Sequence, residues 1–233
     1  MKKNKLQKSW QTFIGKDGDR KNNWKKQFFY KYTYEKLKTK KNLLDLGCGV
    51  GHFLKLKNNN TIGIDKNLEN LIEGKKYSSK LVQGNILELP FSDASFDGIN
   101  CSHVIEHFIP DDAYTLLSEM NRVLKVAGIL VISTPVLGSN FYNDFTHVKP
   151  YYPEAIMHYY DENRIQKTKN KINCHYKMEE IKWRYEKVPL KPFLFPKGGF
   201  LNTLLVLMTD WLSNNGFGKY VETSYSMVLT KIK

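Results

Sequence analysis

Cysteine is scarce in this 233-residue chain, and the three present, Cys48, Cys101 and Cys174, stand far apart with no Cys-x-x-Cys pair. That excludes a disulfide framework and a zinc knuckle and leaves free thiols. Long apolar runs are missing too. The longest, Phe200 to Leu212, is interrupted by Asn202, Thr203, Thr209 and Asp210 and falls short of the ~20 residues that cross a bilayer. The Lys- and Asn-rich N-terminus has no apolar core followed by a small-residue cleavage site, so a secretory signal is not expected and the expected location is cytoplasmic. Acidic residues are few in the first 41 positions, 3 against 14 Lys plus Arg, whereas the remaining 192 hold 20 against 22. The net charge of +13 is therefore an N-terminal property. Such an arm pairs with nucleic-acid phosphates, an anionic membrane face or a phosphorylated substrate, or simply stays solvated.

From residue 42 onward short apolar runs alternate with amphipathic stretches. This is the pattern of an α/β protein, a doubly wound, mostly parallel sheet with helices on both faces. Strands are expected at Asn42–Leu46, Thr61–Ile64, Lys80–Gln83, Phe96–Cys101 and Ile129–Ser133. Helices are expected after Val50, after Asn67, from Asp111 to Val126 with Gly128 as its stop, and around Pro153–Tyr160. Beyond Asn170 two long strand-like runs, Ile172–Val188 and Thr223–Ile232, flank the apolar segment. They predict an antiparallel C-terminal edge pair with an inserted helix, for seven strands in all. The chain divides into a basic, aromatic arm or cap over residues 1–41 and one domain over 42–233, of which 170–233 is the strand pair.

The segment Leu43-Leu44-Asp45-Leu46-Gly47-Cys48-Gly49-Val50-Gly51 is an apolar strand carrying an acid, then glycines at every second position. Glycine there permits positive φ and removes the Cβ that would keep a ligand off the backbone. The spacing is neither that of a triphosphate loop nor that of a dinucleotide fingerprint. An acid at that mouth repels anions, so Asp45 points to a ligand with positive charge. About twenty residues on, Asp65 ends the second strand, the placement that lets a carboxylate take the hydroxyls of a ribose. A nucleoside with a cationic tail satisfies both.

With Asp45 to Gly51, Asp65, Gly84-Asn85-Ile86 before Leu89-Pro90-Phe91, Ser95-Phe96-Asp97, His103 to His107, and Arg122 to Lys125 before Gly128, the chain from about Asn42 to Pro135 resembles the class I S-adenosylmethionine-dependent methyltransferases. The resemblance implies a Rossmann-like fold and S-adenosyl-L-methionine as cofactor. The implied site is Asp45, Gly47, Gly49 and Gly51 beside the methionine moiety, Asp65 on the ribose, Asn85 and Ile86 on the adenine, and Ser102 and His103 against the cofactor. Asn85 departs from the pattern, which has an acid there; its amide oxygen still accepts from the adenine amino group. Asp97 reads as a strand brace, and Glu106 and His107 as a helix cap or surface pair.

After the fifth strand, Phe141, Tyr142, Asp144, His147 and Tyr151 bring aromatic, acidic and imidazole groups together. The block resembles one found in members of the superfamily that lie among glycan and lipid biosynthesis enzymes. Loops at the carboxyl ends of parallel strands face the ligand, and His147, with an unperturbed pKa near ~6.5, is the candidate proton acceptor with Asp144 to orient it. The alternative is that Asp144 and His147 bind a divalent ion together with substrate oxygens, but with only two candidate ligands no metal is expected. The expected reaction is methyl transfer to a small-molecule or glycan acceptor at oxygen. An RNA or protein substrate held by the basic arm is the alternative, and a cofactor-binding protein without turnover a third reading. The Trp10–Tyr34 stretch is expected to form a covering helix, and the Phe200–Leu212 segment to pack on the sheet, on a second copy as a homodimer, or peripherally on a membrane.

Overall fold

The computed structural model describes residues 24–56, 60–138, 141–160, 172–188, 200–214 and 219–233. Trp10 and the first part of the basic arm lie outside them, as do Ser139 and Asn140 of the acceptor block. Seven strands form one sheet: β1 Leu43–Leu46, β2 Thr61–Asp65, β3 Leu81–Gln83, β4 Phe96–Ser102, β5 Leu124–Pro135, β6 Tyr176–Val188 and β7 Lys219–Lys231. Their order is β3-β2-β1-β4-β5-β7-β6, parallel from β3 to β5 and antiparallel where β7 joins β5 and β6. The expected α/β architecture with its antiparallel edge pair is the one present. β1 is fully buried because a parallel strand is covered on both faces, which is why it reads as a continuous apolar run.

Among the described residues five helices accompany the sheet: α1 Trp24–Leu37, α2 Leu68–Gly74, α3 Pro110–Val123, α4 Pro153–Tyr160 and α5 Phe200–Asn214. Asn67 caps α2 by accepting from the backbone N–H groups of Glu69 and Asn70. In α3, Pro110 opens the helix and Asp111 and Asp112 occupy its first turn. Ala113, Leu116, Leu117, Met120 and Val123 are its buried stripe, at the spacing that puts them on one face. The described part of the N-terminal arm, α1, packs on the sheet, with Leu37 in one cluster with Leu43, Phe53, Val131 and Val228. Among the described residues no helix is long and apolar enough to cross a membrane.

Two expectations are corrected. The helix after Val50 is, among the described residues, a 3-10 turn over Leu54–Leu56, because fewer than ten residues separate the glycine loop from β2. Gly128 does not stop α3. The helix ends at Leu124, which is already extended, and Gly128 sits within β5, in the four-residue irregularity between the Phe96–Leu124 and Gly98–Ile129 pairings.

Candidate functional site

Strand order reverses between β1 and β4, and the crevice beyond the carboxyl ends of such strands is where open α/β sheets place ligands. A cleft of about 530 Å³ lies there, within the size of ordinary small-molecule sites. Gly47, Asp65, Asn85, Ile86, His103 and His107 are in its wall, with Val104, Phe108 and Thr146.

The glycine loop follows β1 with positive φ at Gly47, Gly49 and Gly51. A Cβ added at Gly47 would lie 2.6 Å from Val104 Cγ2, whereas one at Gly49 would meet nothing within 4 Å. The first glycine thus serves packing and the second faces open space. Gly51 packs away from that space, against Tyr77 and Leu54. Asp65 accepts from Gly49 N–H at 2.8 Å through one oxygen and from Asn67 N–H at 2.9 Å through the other. Asn85 Oδ1 accepts from Leu87 N–H at 3.0 Å, which fixes the amide and leaves one lone pair. Ser102 is buried at the end of β4, its hydroxyl without a hydrogen bond.

Asp45 is not among the cleft-lining residues. It is buried, accepts from Asn100 Nδ2 at 2.6 Å and pairs β1 to β4 beneath the loop. Burial, with the charge of Asp65, pushes its carboxyl up to about 7, although the Asn100 bond acts the other way. From α1, Phe29 meets His103 edge-on at 6.3 Å and Tyr30 lies 5.9 Å from the His52 ring. Burial raises the Tyr30 phenol, and the charges of Asp45 and Glu106 add to it, so α1 covers this end of the site.

On the acceptor side, Glu106 and His107 belong to a 3-10 turn over Ile105–His107, and neither is a surface cap. Glu106 is fully buried and accepts from Thr134 Oγ1 at 3.0 Å, while its other oxygen lies 3.3 Å from His103 Nδ1. Burial works to raise its pKa, but His103 and His107 outweigh that and hold the carboxyl below the usual range. The block after β5 is clipped to this turn, since Val148 and Lys149 donate their N–H groups to the Glu106 carbonyl. His147 Nδ1 lies 2.7 Å from the Phe141 carbonyl and its ring 4.9 Å from that of His107. Asp144 stays 3.8 Å from His147 Nε2 and accepts instead from the Thr146 N–H and hydroxyl, which lower its pKa. The orienting group is therefore the Phe141 carbonyl rather than Asp144.

Residues 44–132 match the family model described as a methyltransferase domain. These residues form a methyltransferase domain. A solved S-adenosylmethionine-dependent methyltransferase from Archaeoglobus fulgidus shares the fold, with a TM-score of 0.58, 21% identity, and coverage of 98% of this chain and 100% of that one. An uncharacterized protein of Methanocaldococcus jannaschii is 37% identical over 108 residues, 44% of this chain and 46% of its own. A demethylmenaquinone methyltransferase of Alkalihalophilus pseudofirmus is 29% identical over 164 residues, 64% of this chain and 66% of its own. The chain spans less than half the length of the first four curated relatives it matches.

A methyltransferase domain implies S-adenosylmethionine as its cofactor. The residues present fit it: Asp65, in the cleft wall, is a carboxylate pre-oriented by backbone donors, and outside the lining Gly49 faces open space and Ser102 keeps a buried hydroxyl without a partner. Glu106 and His107, read from the sequence as a cap or surface pair, are instead placed beside the cleft, His107 in its wall and Glu106 buried behind it. The signal available was their place at the end of a central parallel strand, where a charged pair is next to the ligand crevice.

Proposed function

We propose that the chain transfers a methyl group from S-adenosylmethionine to an oxygen of a small-molecule or sugar acceptor. The observation that carries this reading is that one cleft holds both Asp65 and the His107–Thr146 pair in its wall. Asp65 would take the ribose hydroxyls, Asn85 and Ile86 the adenine, and Gly47, Gly49 and Gly51 the methionine portion, with Asp45 bracing the loop from below and Ser102 and His103 closing β4. Bound there, the cofactor supplies an activated methyl on a sulfonium.

The chain's own task is positioning and proton handling, which together bring most of the rate when the leaving group is already good. The Phe141 carbonyl can only accept, so His147 carries its proton on Nδ1 and leaves Nε2 with the lone pair that takes the acceptor proton. Asp144 contributes by holding Thr146, and through it the loop that presents His147. The domain boundary near residue 42, a cytoplasmic setting and a monomeric or dimeric state belong to the same reading.

The test is incubation of the full chain with methyl-labelled S-adenosylmethionine and three separate acceptor pools: hydroxylated small molecules and sugars, RNA, and protein. Label in the first pool supports the proposal. Label in RNA or protein alone would replace it with a polymer substrate held by the basic arm. Cofactor binding without label in any pool would make the chain a binding protein.

A further inference from the structure

The Glu106, His107 and His147 side chains offer one ligand atom each, and these lie within 4.8 Å of one another. We propose that Glu106, His107 and His147 form a binding site for a first-row divalent transition metal, zinc or manganese by chemical class, behind the part of the methyltransferase cleft wall that His107 lines.

The hydrogen bonds prepare each ligand. Thr146 Oγ1 gives its proton to Asp144 at 2.6 Å, so toward His107 Nδ1, 2.9 Å away, that hydroxyl can only accept. The Thr146 carbonyl, 3.1 Å from the same nitrogen, also accepts. His107 is thereby protonated on Nδ1, and its Nε2 carries the lone pair. His147 is fixed in the same tautomer by the Phe141 carbonyl. Both imidazoles donate Nδ1–H to a backbone carbonyl and keep Nε2 for a metal, which is how histidine ligands are oriented from behind.

Glu106 supplies what a cation needs. Its carboxylate is fully buried, and one oxygen is held by Thr134 while the other makes no hydrogen bond. His103 Nδ1 lies 3.3 Å from that oxygen and offsets part of its charge. A desolvated carboxylate oxygen without a donor is costly unless a positive charge meets it. The backbone places all three groups. The Glu106 carbonyl accepts from Val148 and Lys149, so the segment carrying His147 cannot move away from the turn carrying Glu106 and His107.

Two imidazoles and one carboxylate favour zinc, manganese, iron or cobalt over magnesium and calcium, which take mostly oxygen. Ligand atoms about 2.1 Å from a common ion stand roughly 3–4 Å apart, so the site closes slightly on the metal. His107 and Thr146 line the cleft, which leaves the ion open positions toward it. This role deepens the proposed function and rests on it, although the existence of the site does not. An acceptor hydroxyl bound to the ion loses its proton to solvent near neutral pH, and the O–CH₃ bond then forms as the S–CH₃ bond breaks. With the ion bound, the His147 lone pair is a ligand, so this step replaces the free-base role given to His147 above and keeps the cofactor, the acceptor class and the cleft of that reading.

The experiment uses the full chain stripped with a chelator and titrated with cobalt(II), read by its visible absorption, and with zinc by calorimetry. One ion per chain with micromolar or tighter affinity is expected, weakened at least 10-fold in His107→Ala, in His147→Ala and in Glu106→Gln. The last keeps the size and the Thr134 contact, so it guards against a variant that fails to fold. S-adenosylhomocysteine affinity, measured in parallel, should be unchanged by removal of the metal. Absence of stoichiometric binding by the folded wild-type chain would overturn the site, as would equal binding by wild type and all three variants. Either result leaves methyl transfer itself untouched, since the readout needs neither cofactor nor acceptor. Label transfer at full rate in excess chelator would overturn the catalytic role of the ion.

Discussion

Asp65 receives the backbone N–H of Gly49 at 2.8 Å, a bond that ties the end of β2 to the middle of the glycine loop on the neighbouring β1. With Asn67 N–H on its second oxygen, the carboxylate is fixed before any ligand arrives, each oxygen keeping a lone pair for a hydroxyl. The same residue thus shapes the loop and offers the acceptors that a ribose requires.

Replacing Asp65 with alanine removes both functions. Cofactor affinity should fall by about 1–3 kcal/mol, the cost of leaving hydroxyls and backbone donors without their acceptor. Calorimetry with S-adenosylhomocysteine checks this, and unchanged affinity would remove Asp65 from the ribose assignment. Asp65→Asn should not rescue, because its amide would turn a donor toward one of the two N–H groups.

Asp45 gives a pH signature. Its folded-state pKa is raised from 3.8 to about 7, chiefly by burial. The neutral form is the one the fold prefers, so the stabilisation from proton uptake is complete below the unfolded pKa and is lost as pH rises through about 7. Asp45→Asn keeps an acceptor for Asn100 and carries no titration. Its stability relative to wild type should therefore rise by roughly 1–3 kcal/mol between pH 4 and pH 8 and level off above that. Urea denaturation of both proteins across that range reads the difference; a flat difference would mean that Asp45 is ionised throughout.

How much of this was legible in the sequence follows from which contacts are local. β1 to β5 announce themselves because buried parallel strands are apolar runs, and the loop does so because its glycines come at every second position. The turn over Leu54–Leu56 was misread since loop length, rather than apolar periodicity, decides whether a helix fits. Asp144 and His147 stand three residues apart and invite pairing, yet the partner of His147 is the Phe141 carbonyl, and a backbone oxygen leaves no trace in residue type. Glu106 looked like a cap because its partner, Thr134, is 28 residues away on another strand. Nothing local signals that burial.

Arg122 is a strut between α3 and the segment that follows the loop carrying Gly84, Asn85 and Ile86. Its guanidinium donates to Glu119, to Asp93 and to the carbonyls of Leu89 and Phe91, while Glu119 accepts from Leu89 N–H. Arg122→Ala strands two carbonyls and a half-buried carboxylate, which should cost about 2–3 kcal/mol of stability. Arg122→Lys should recover less than half of it, since an ammonium cannot reproduce the planar fork. A denaturation midpoint equal to wild type in Arg122→Ala would show the strut to be energetically idle.

The glycine loop offers a test in which two similar substitutions part company. Gly47 and Gly49 have φ of +62° and +51°, so alanine at either position carries about 1–2 kcal/mol of left-handed strain. At Gly47 the new methyl also runs into Val104 Cγ2 at 2.6 Å, and Val104 is a cleft wall; at Gly49 it enters open space. Gly47→Ala should therefore lose more stability than Gly49→Ala, by about 1 kcal/mol or more for the forced displacement of a packed side chain. Gly49→Ala should remain folded by circular dichroism and lose only about the 1–2 kcal/mol of left-handed strain, yet bind S-adenosylhomocysteine at least about 10-fold more weakly, a loss of roughly 1.4 kcal/mol, because its methyl occupies the volume the ligand needs. Near-native binding by a folded Gly49→Ala protein would mean that the space above Gly49 is not the cofactor's, and the methionine portion would then have to lie along Val104 and His103 instead.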